Sequence, residues 1–309
     1  METLKAFFSD IVNETNGFGF GEPWRPGPEY VVAILPITRQ IRRQRDYITL
    51  NEAGDEVSIE DTNRVDEVIV TNKSGKSIFI PAAWMLSGET QARIVTKGVV
   101  ISARETRPIS VACVQESQPI IARAILRPDK VAPREVEEII YRHRGTQVGA
   151  LQDELWRESR EYGEKVLPID KADNLIDAHR SHVRAIDKVL SQLPEVPNQV
   201  GFAIVVPKGI GSLECFDSPD SWKAMGKSLI EKEVKALERK RDDLDSVFEY
   251  KPQQARSLIH HFLQREFVVE TIISGDNWET VGVSASNCVG EATIMDNNII
   301  HVSLGRKGQ

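Results

Sequence analysis

Cysteine is scarce in this sequence. Cys113, Cys215 and Cys288 are odd in number and far apart among 309 residues, and no CxxC pairing offers a redox couple or a zinc knuckle. A disulfide framework is excluded, and a reducing, cytoplasmic setting is the expectation. Long hydrophobic runs are missing too. The apolar stretch Tyr30 to Leu35 is far short of the ~20 residues that span a bilayer. The start METLKAFFSDIVNE carries Glu2 and Asp10 and lacks the basic opening and apolar core of a signal peptide, so no membrane association is expected. Positive charge is also in deficit: 39 Lys and Arg stand against 46 Asp and Glu, a net charge of -7. A surface tuned throughout to nucleic acid is thereby disfavoured. No internal repeat or low-complexity tract is present.

Hydrophobic content of 40% and charged content of 28% place the chain among ordinary folded proteins. At 309 residues it exceeds the ~250–300 at which a single core stops growing, so more than one core is expected. Leu4, Phe7, Phe8, Ile11 and Val12 recur at helical spacing and predict a first amphipathic helix. Gly17, Gly19 and Gly21 then alternate with Phe18 and Phe20. No strand precedes them, which rules out a dinucleotide fingerprint and leaves a turn or an arm packing its phenylalanines on a neighbour. Residues 1–29 are read as this helix and arm.

From Tyr30 the pattern is that of strands: Tyr30 to Thr38, Tyr47 to Glu52, Glu56 to Asp61, Val65 to Asn72, Ile78 to Leu86, Ala92 to Ala103 with a break at Lys97-Gly98, and Ile109 to Gln115. Ala53-Gly54-Asp55 and Lys73-Ser74-Gly75-Lys76 read as hairpin connections. Residues 30–127 should form an antiparallel β-sandwich or barrel. Residues 128–198 read as a helical hairpin joined at Leu167-Pro168. Its stripes are Val136, Ile139, Ile140, Val148, Leu151 and Leu155, then Leu175, Ile176, His179, Val183, Ile186 and Leu190. Residues 199–309 alternate strands with helices in a mixed α/β part. Within it Ser218-Pro219 opens a long helix to about Asp243, with Lys227/Glu231 and Glu231/Lys235 as exposed pairs. The fold class is α+β.

Chemistry concentrates after Gly88, whose freedom to reach positive φ suits a sharp corner. Glu89, Gln91 and Arg93 follow at the spacing that places alternate strand residues on one face. Such a trio can grip a small anionic or amide-bearing ligand, or it can tie the corner down through backbone hydrogen bonds. Cys113 lies in an apolar strand, where cysteine behaves as a small hydrophobe. His179 and His182 share a helix face but lack a third ligand and an ExxH pattern, so neither a metal nor a cofactor is expected. Arg39, Arg42, Arg43 and Arg45 form a basic run that reads as a solvated loop, with phosphate contact as the alternative. Lys208-Gly209-Ile210-Gly211 lacks phosphate-loop spacing.

The stretch Gly88, Gln91 and Arg93, then Val111, Cys113, Val114 and Glu116, resembles the ARG and Rhodanese-Phosphatase superfamily-associated protein domain, first type. Val200-Gly201-Phe202 through Gly211, Phe216, Ser218 and Pro219 resembles its C-terminal half. The family pattern continues Val-x-Cys-Val-Glu-Arg-Trp, whereas this chain has Gln115 before Glu116 and then Ser117-Gln118. The family name records company with ADP-ribosylglycohydrolase and phosphatase domains. The resemblance therefore implies a nucleotide-derived or ADP-ribose-like ligand, held by Gln91 and Arg93 with Glu89 or Glu116 as acid or base. No catalytic constellation is complete in the residues themselves, and projecting helices favour assembly. The leading expectation is a non-catalytic cytosolic binding or assembly module, homo-oligomeric or with a protein partner. The alternative is an enzyme or sensor for such a ligand.

Overall fold

The computed structural model describes residues 2–27, 30–41, 44–144, 148–207, 209–238 and 252–308. The chain is α+β and divides into two compact units. One holds Met1–Gln44 with Ile186–Gln309, the other Arg45–Ala185. These boundaries differ from the four consecutive segments read along the sequence, because the first long strand pairs with a strand far downstream.

The chain opens with α1 (Glu2–Asn13), β1 (Phe18–Phe20) and β2 (Ala33–Arg39). Helix α1 buries Leu4, Phe7, Phe8 and Ile11, as its spacing predicts. Each such side chain contributes up to ~1.5–3 kcal/mol when withdrawn from water. Phe18 of the glycine-aromatic arm packs edge-on against Phe7, with ring centroids 5.4 Å apart.

The second unit begins with β3 (Tyr47–Thr49) and α2 (Leu50–Ala53). The expected strand Tyr47 to Glu52 stops early because Glu52 reaches back to accept the Thr49 backbone N–H at 2.8 Å, the reciprocal half of a capping box. Strands β4 (Val57–Arg64) and β5 (Glu67–Asn72) form a hairpin, followed by β6 (Ser77–Ile80), β7 (Trp84–Gly88), β8 (Arg93–Val95), β9 (Val99–Ile101), β10 (Thr106–Cys113) and β11 (Ile125–Val131). Six of these close a barrel in the order β10-β5-β4-β11-β7-β8, while β3-β6-β9 form a separate sheet. The run Ile78 to Leu86 is thus two strands in two sheets, broken at Pro81-Ala82-Ala83, where Ala83 has φ +61°. Lys73-Ser74-Gly75-Lys76 likewise carries the chain between sheets and makes no hairpin. Buried Asn72 holds that crossing, its amide donating to the Lys76, Ile101 and Ser102 carbonyls. Helices α3 (Arg134–Arg142), α4 (Val148–Gly163) and α5 (Leu175–Ala185) complete the unit.

The first unit resumes with α6 (Asp187–Leu190), β12 (Gln199–Val206), β13 (Gly209–Phe216), α7 (Pro219–Glu231), α8 (Val234–Glu238), α9 (Pro252–Leu263), β14 (Val268–Ser274), β15 (Trp278–Ala285), β16 (Cys288–Met295) and β17 (Asn298–Arg306). Its sheet has eight strands in the order β1-β2-β12-β13-β17-β16-β15-β14. Strand β2, expected to begin the N-terminal sandwich, instead pairs antiparallel with β12, Leu35 opposite Ala203. One sheet face buries Leu213, Cys215, Ala292, Val302 and Leu304 in a core shared with α1 and α9. Ser218 caps α7 by accepting the Asp220 N–H at 3.2 Å, with Pro219 at the first helical position. Glu231, expected on the exposed face of this helix, is instead buried. Residues 239–243 of the expected long helix lie outside the described residues.

Candidate functional site

Strand β7 ends at Gly88, opposite Leu126 of β11. A Cβ on Gly88 would lie 2.4 Å from the Ile125 carbonyl oxygen, so glycine serves close strand approach here and its φ is not positive. Residues 89–92 are irregular, and β8 begins only at Arg93. Strand alternation therefore does not apply to Glu89, Gln91 and Arg93.

The structure separates that trio. Glu89 is exposed, and its backbone carbonyl accepts the Gln118 amide at 2.9 Å. Gln91 and Arg93 turn inward. Arg93 is fully buried and donates from Nη1 to Gln91 Oε1 at 2.9 Å, from Nη2 to Asp61 Oδ2 at 3.0 Å, and from Nη2 to the Arg64 carbonyl at 3.4 Å. Asp61 of β4, also buried, accepts from the Thr90 hydroxyl at 3.0 Å and the Asn63 N–H at 2.9 Å. Thr90 in turn accepts the Ile121 N–H at 2.9 Å. The corner thus holds a charge pair whose polar partners are its own neighbours. Asp61 and Thr90 were missed in the sequence. The available signal was a carboxylate two residues after the buried Ile59, on the inward face of a strand.

Glu116 is exposed and forms an ion pair with Arg160. Cys113 lies opposite Arg93 in the β10–β8 pairing and is buried. Burial pushes its thiol up, against the opposing pull of the Trp156, Gln115 and Arg93 donors. Its backbone is clamped by Gln152, whose amide accepts the Cys113 N–H at 2.9 Å and donates to its carbonyl at 2.7 Å. Gln152 acts as a short substitute strand, a role invisible in a helical stripe.

His179 and His182 both contact Tyr162. The Tyr162 hydroxyl meets His179 Nδ1 at 3.1 Å, and the His182 ring centroid lies 4.3 Å from that of Tyr162. Burial, with help from Lys130 and His182, lowers the His179 pKa to about 3. Among the described residues no group of three His, Cys, Asp or Glu gathers as metal ligands. The basic run is tied down where it is described. Arg39 donates to the Asp217 carbonyl at 3.0 Å and lies over Phe18, and Arg45 pairs with Glu52 at 2.7 Å. Arg42, Arg43 and Lys208 lie outside the described residues.

A second polar cluster was missed altogether. On the sheet face opposite the apolar core, Ser212 and Glu214 of β13, Glu291 and Thr293 of β16, and His301 and Ser303 of β17 alternate with the core residues and are buried. Glu214 takes Lys232 Nζ and the Ser303 hydroxyl on Oε1, the latter at 2.7 Å, and His301 Nε2 on Oε2 at 3.0 Å. The Ser212 hydroxyl donates to Glu233 at 2.8 Å. His301 also packs on Phe216, with ring centroids 4.6 Å apart. The overlooked signal was period two: polar residues at alternate positions of strands whose other positions are all core.

The two units define an α+β protein with a closed six-stranded barrel in one and an eight-stranded sheet in the other, each braced by a buried charge cluster. The chain belongs to the ARPP-1 family, the ARG and Rhodanese-Phosphatase-superfamily-associated Protein domain, which matches residues 18–305. That match bears out the resemblance read from Gly88–Glu116 and Val200–Pro219. Comparison with curated proteins and with solved structures found no match. Among the described residues no helix is long and apolar enough to cross a membrane.

Proposed function

We propose that the protein is a non-catalytic binding or assembly module, working as a homo-oligomer in the cytoplasm. The observation that carries this reading is the closure of the Asp61 corner. Arg93 and Gln91, the side chains best suited to grip an anion, direct their described bonds to each other, to Asp61 and to a backbone carbonyl, and Arg93 has no exposed surface. A ligand site needs polar groups facing an open hollow. Self-association is supported by β14, the outer strand of its sheet, where Val268 is 67% exposed. The cytoplasmic setting is supported by three buried cysteines, none of them in a disulfide.

Native mass spectrometry of protein taken from its own cells tests the reading. It should show a multiple of the 34.7 kDa chain. Any small molecule retained should stay chemically unchanged on incubation with the protein. A monomer that converts its retained molecule into product would refute the proposal.

The Glu214 cluster favours a second reading, an enzyme or sensor for a nucleotide-derived or ADP-ribose-like ligand. Burying Lys232, Glu214 and His301 together carries a desolvation cost, and such clusters concentrate at functional sites. Acid–base work would then fall to Glu214 and His301, with Glu89 and Glu116 remaining on the surface. Loss of turnover in Glu214→Gln with unchanged unfolding would move the ranking to this reading.

A further inference from the structure

The surface that the closed corner does not offer is found in the other unit. Helix α7 packs across β12 and β13, and beside it runs a groove of about 710 Å³, within the range of small-molecule sites. Trp24 and Trp222 contribute half-exposed indoles to its lining, and Lys223 and Lys227 contribute ammonium groups.

The Trp24 backbone is fixed by a two-way bridge to Ile34, each N–H donating to the other's carbonyl at 2.8 Å. Trp222 rests against Phe202, with centroids 5.8 Å apart, and against Gly226 of its own helix. A Cβ on Gly226 would lie 2.6 Å from the Trp222 ring. Glycine inside a helix lowers helix stability, and here its bareness makes room for the indole. Among the described residues neither indole N–H has a hydrogen-bond partner, and neither lysine has a carboxylate partner. Lys223 and Lys227 stand four apart on one face of α7, whose positive N-terminal end also borders the groove through Pro219. Glu195 and Asp220 line it as well, Asp220 in the first helical turn, where the helix dipole offsets its charge.

We propose that this groove binds a small molecule joining a flat aromatic ring to an anion, phosphate or carboxylate, with the ring on the indoles and the anion on Lys223 and Lys227. The inference rests on the binding half of the reading above and names its site. Aromatic platforms accept any π-face, and ammonium groups accept either anion.

Calorimetric titration of the full chain with adenosine monophosphate and with benzoate distinguishes the two anion sources; adenosine and inorganic phosphate serve as the separate halves of the first, benzyl alcohol and acetate as those of the second. At least one of the two joined probes should bind more tightly than ~1 mM, and more tightly than either half. The double substitution Lys223→Ala/Lys227→Ala should weaken it about tenfold while leaving its aromatic half and thermal unfolding unchanged. Trp222→Leu should weaken the joined probe and its aromatic half alike. Binding of neither joined probe, or affinity indifferent to the lysine substitutions, overturns the proposal. A monomer in native mass spectrometry would leave these titrations untouched, so failure of the site and failure of the assembly reading are separable.

Discussion

Replacing Arg93 should destabilise the barrel unit more than any surface substitution. Arg93→Met removes the cation that faces Asp61 at 3.0 Å, where both side chains have no exposed surface. The Asp61 carboxylate keeps the Thr90 hydroxyl and the Asn63 N–H but loses its counter-charge. Stranding one member of a buried ion pair typically costs about 3–5 kcal/mol. For a unit of this size ~1 kcal/mol corresponds to about 2–4 °C in Tm, so a fall of roughly 6–20 °C is expected in a calorimetric or circular-dichroism melt. Arg93→Lys should rescue little, because a single ammonium cannot reproduce bonds to Gln91, Asp61 and the Arg64 carbonyl together. Adding Asp61→Asn to Arg93→Met should recover much of the loss, since no uncompensated charge then remains. A single substitution costing under ~1 kcal/mol, or a double substitution costing the sum of its parts, would refute the reasoning.

Acid should weaken the same unit through His179. Its pKa falls from 6.5 in the unfolded chain to about 3 in the fold, chiefly by burial, so the unfolded state binds the extra proton between those values. The stabilisation is present above pH ~6.5 and is lost as pH falls toward 3. Between pH 7.5 and 5.5 the loss is about 1.4 kcal/mol, measurable by urea unfolding, and His179→Gln should remove that share of the slope. Gly88→Ala forces a Cβ toward the Ile125 carbonyl and should cost about 1–3 kcal/mol by prising β7 from β11; an unchanged denaturation midpoint would contradict the close approach. All three cysteines are buried and in no disulfide, so a thiol reagent should label none rapidly in native buffer and all three in denaturant. Fast native labelling would contradict the burial of Cys113 and the upward push on its thiol.

Local pattern carried much of the fold. The spacing of Leu4, Phe7, Phe8 and Ile11 predicts α1, Ser218-Pro219 predicts the start of α7, and the β-rich run up to Leu126 predicts an antiparallel barrel or sandwich. The structure closes six strands as a barrel, while β2 joins the eight-stranded sheet and β3, β6 and β9 form a sheet of their own. What failed locally failed for identifiable reasons. The Thr49–Glu52 capping box ended a strand that propensity alone would have continued. The left-handed Ala83 divided one apolar run between two sheets. The irregular residues 89–92 broke the alternation that had placed Glu89 beside Arg93.

By itself the sequence determined the fold class, the family and which short stretches form helices and strands, because these follow from period, turn chemistry and residue type within a few positions. Only the tertiary structure decided who faces whom. The pairing of β2 with β12, of Arg93 with Asp61 and of Glu214 with Lys232 and His301 joins residues far apart in the chain. A polar side chain inside a strand looks the same in sequence whether it reaches water, a ligand or a buried counter-charge. Its surroundings, set by strands distant in the chain, make the difference.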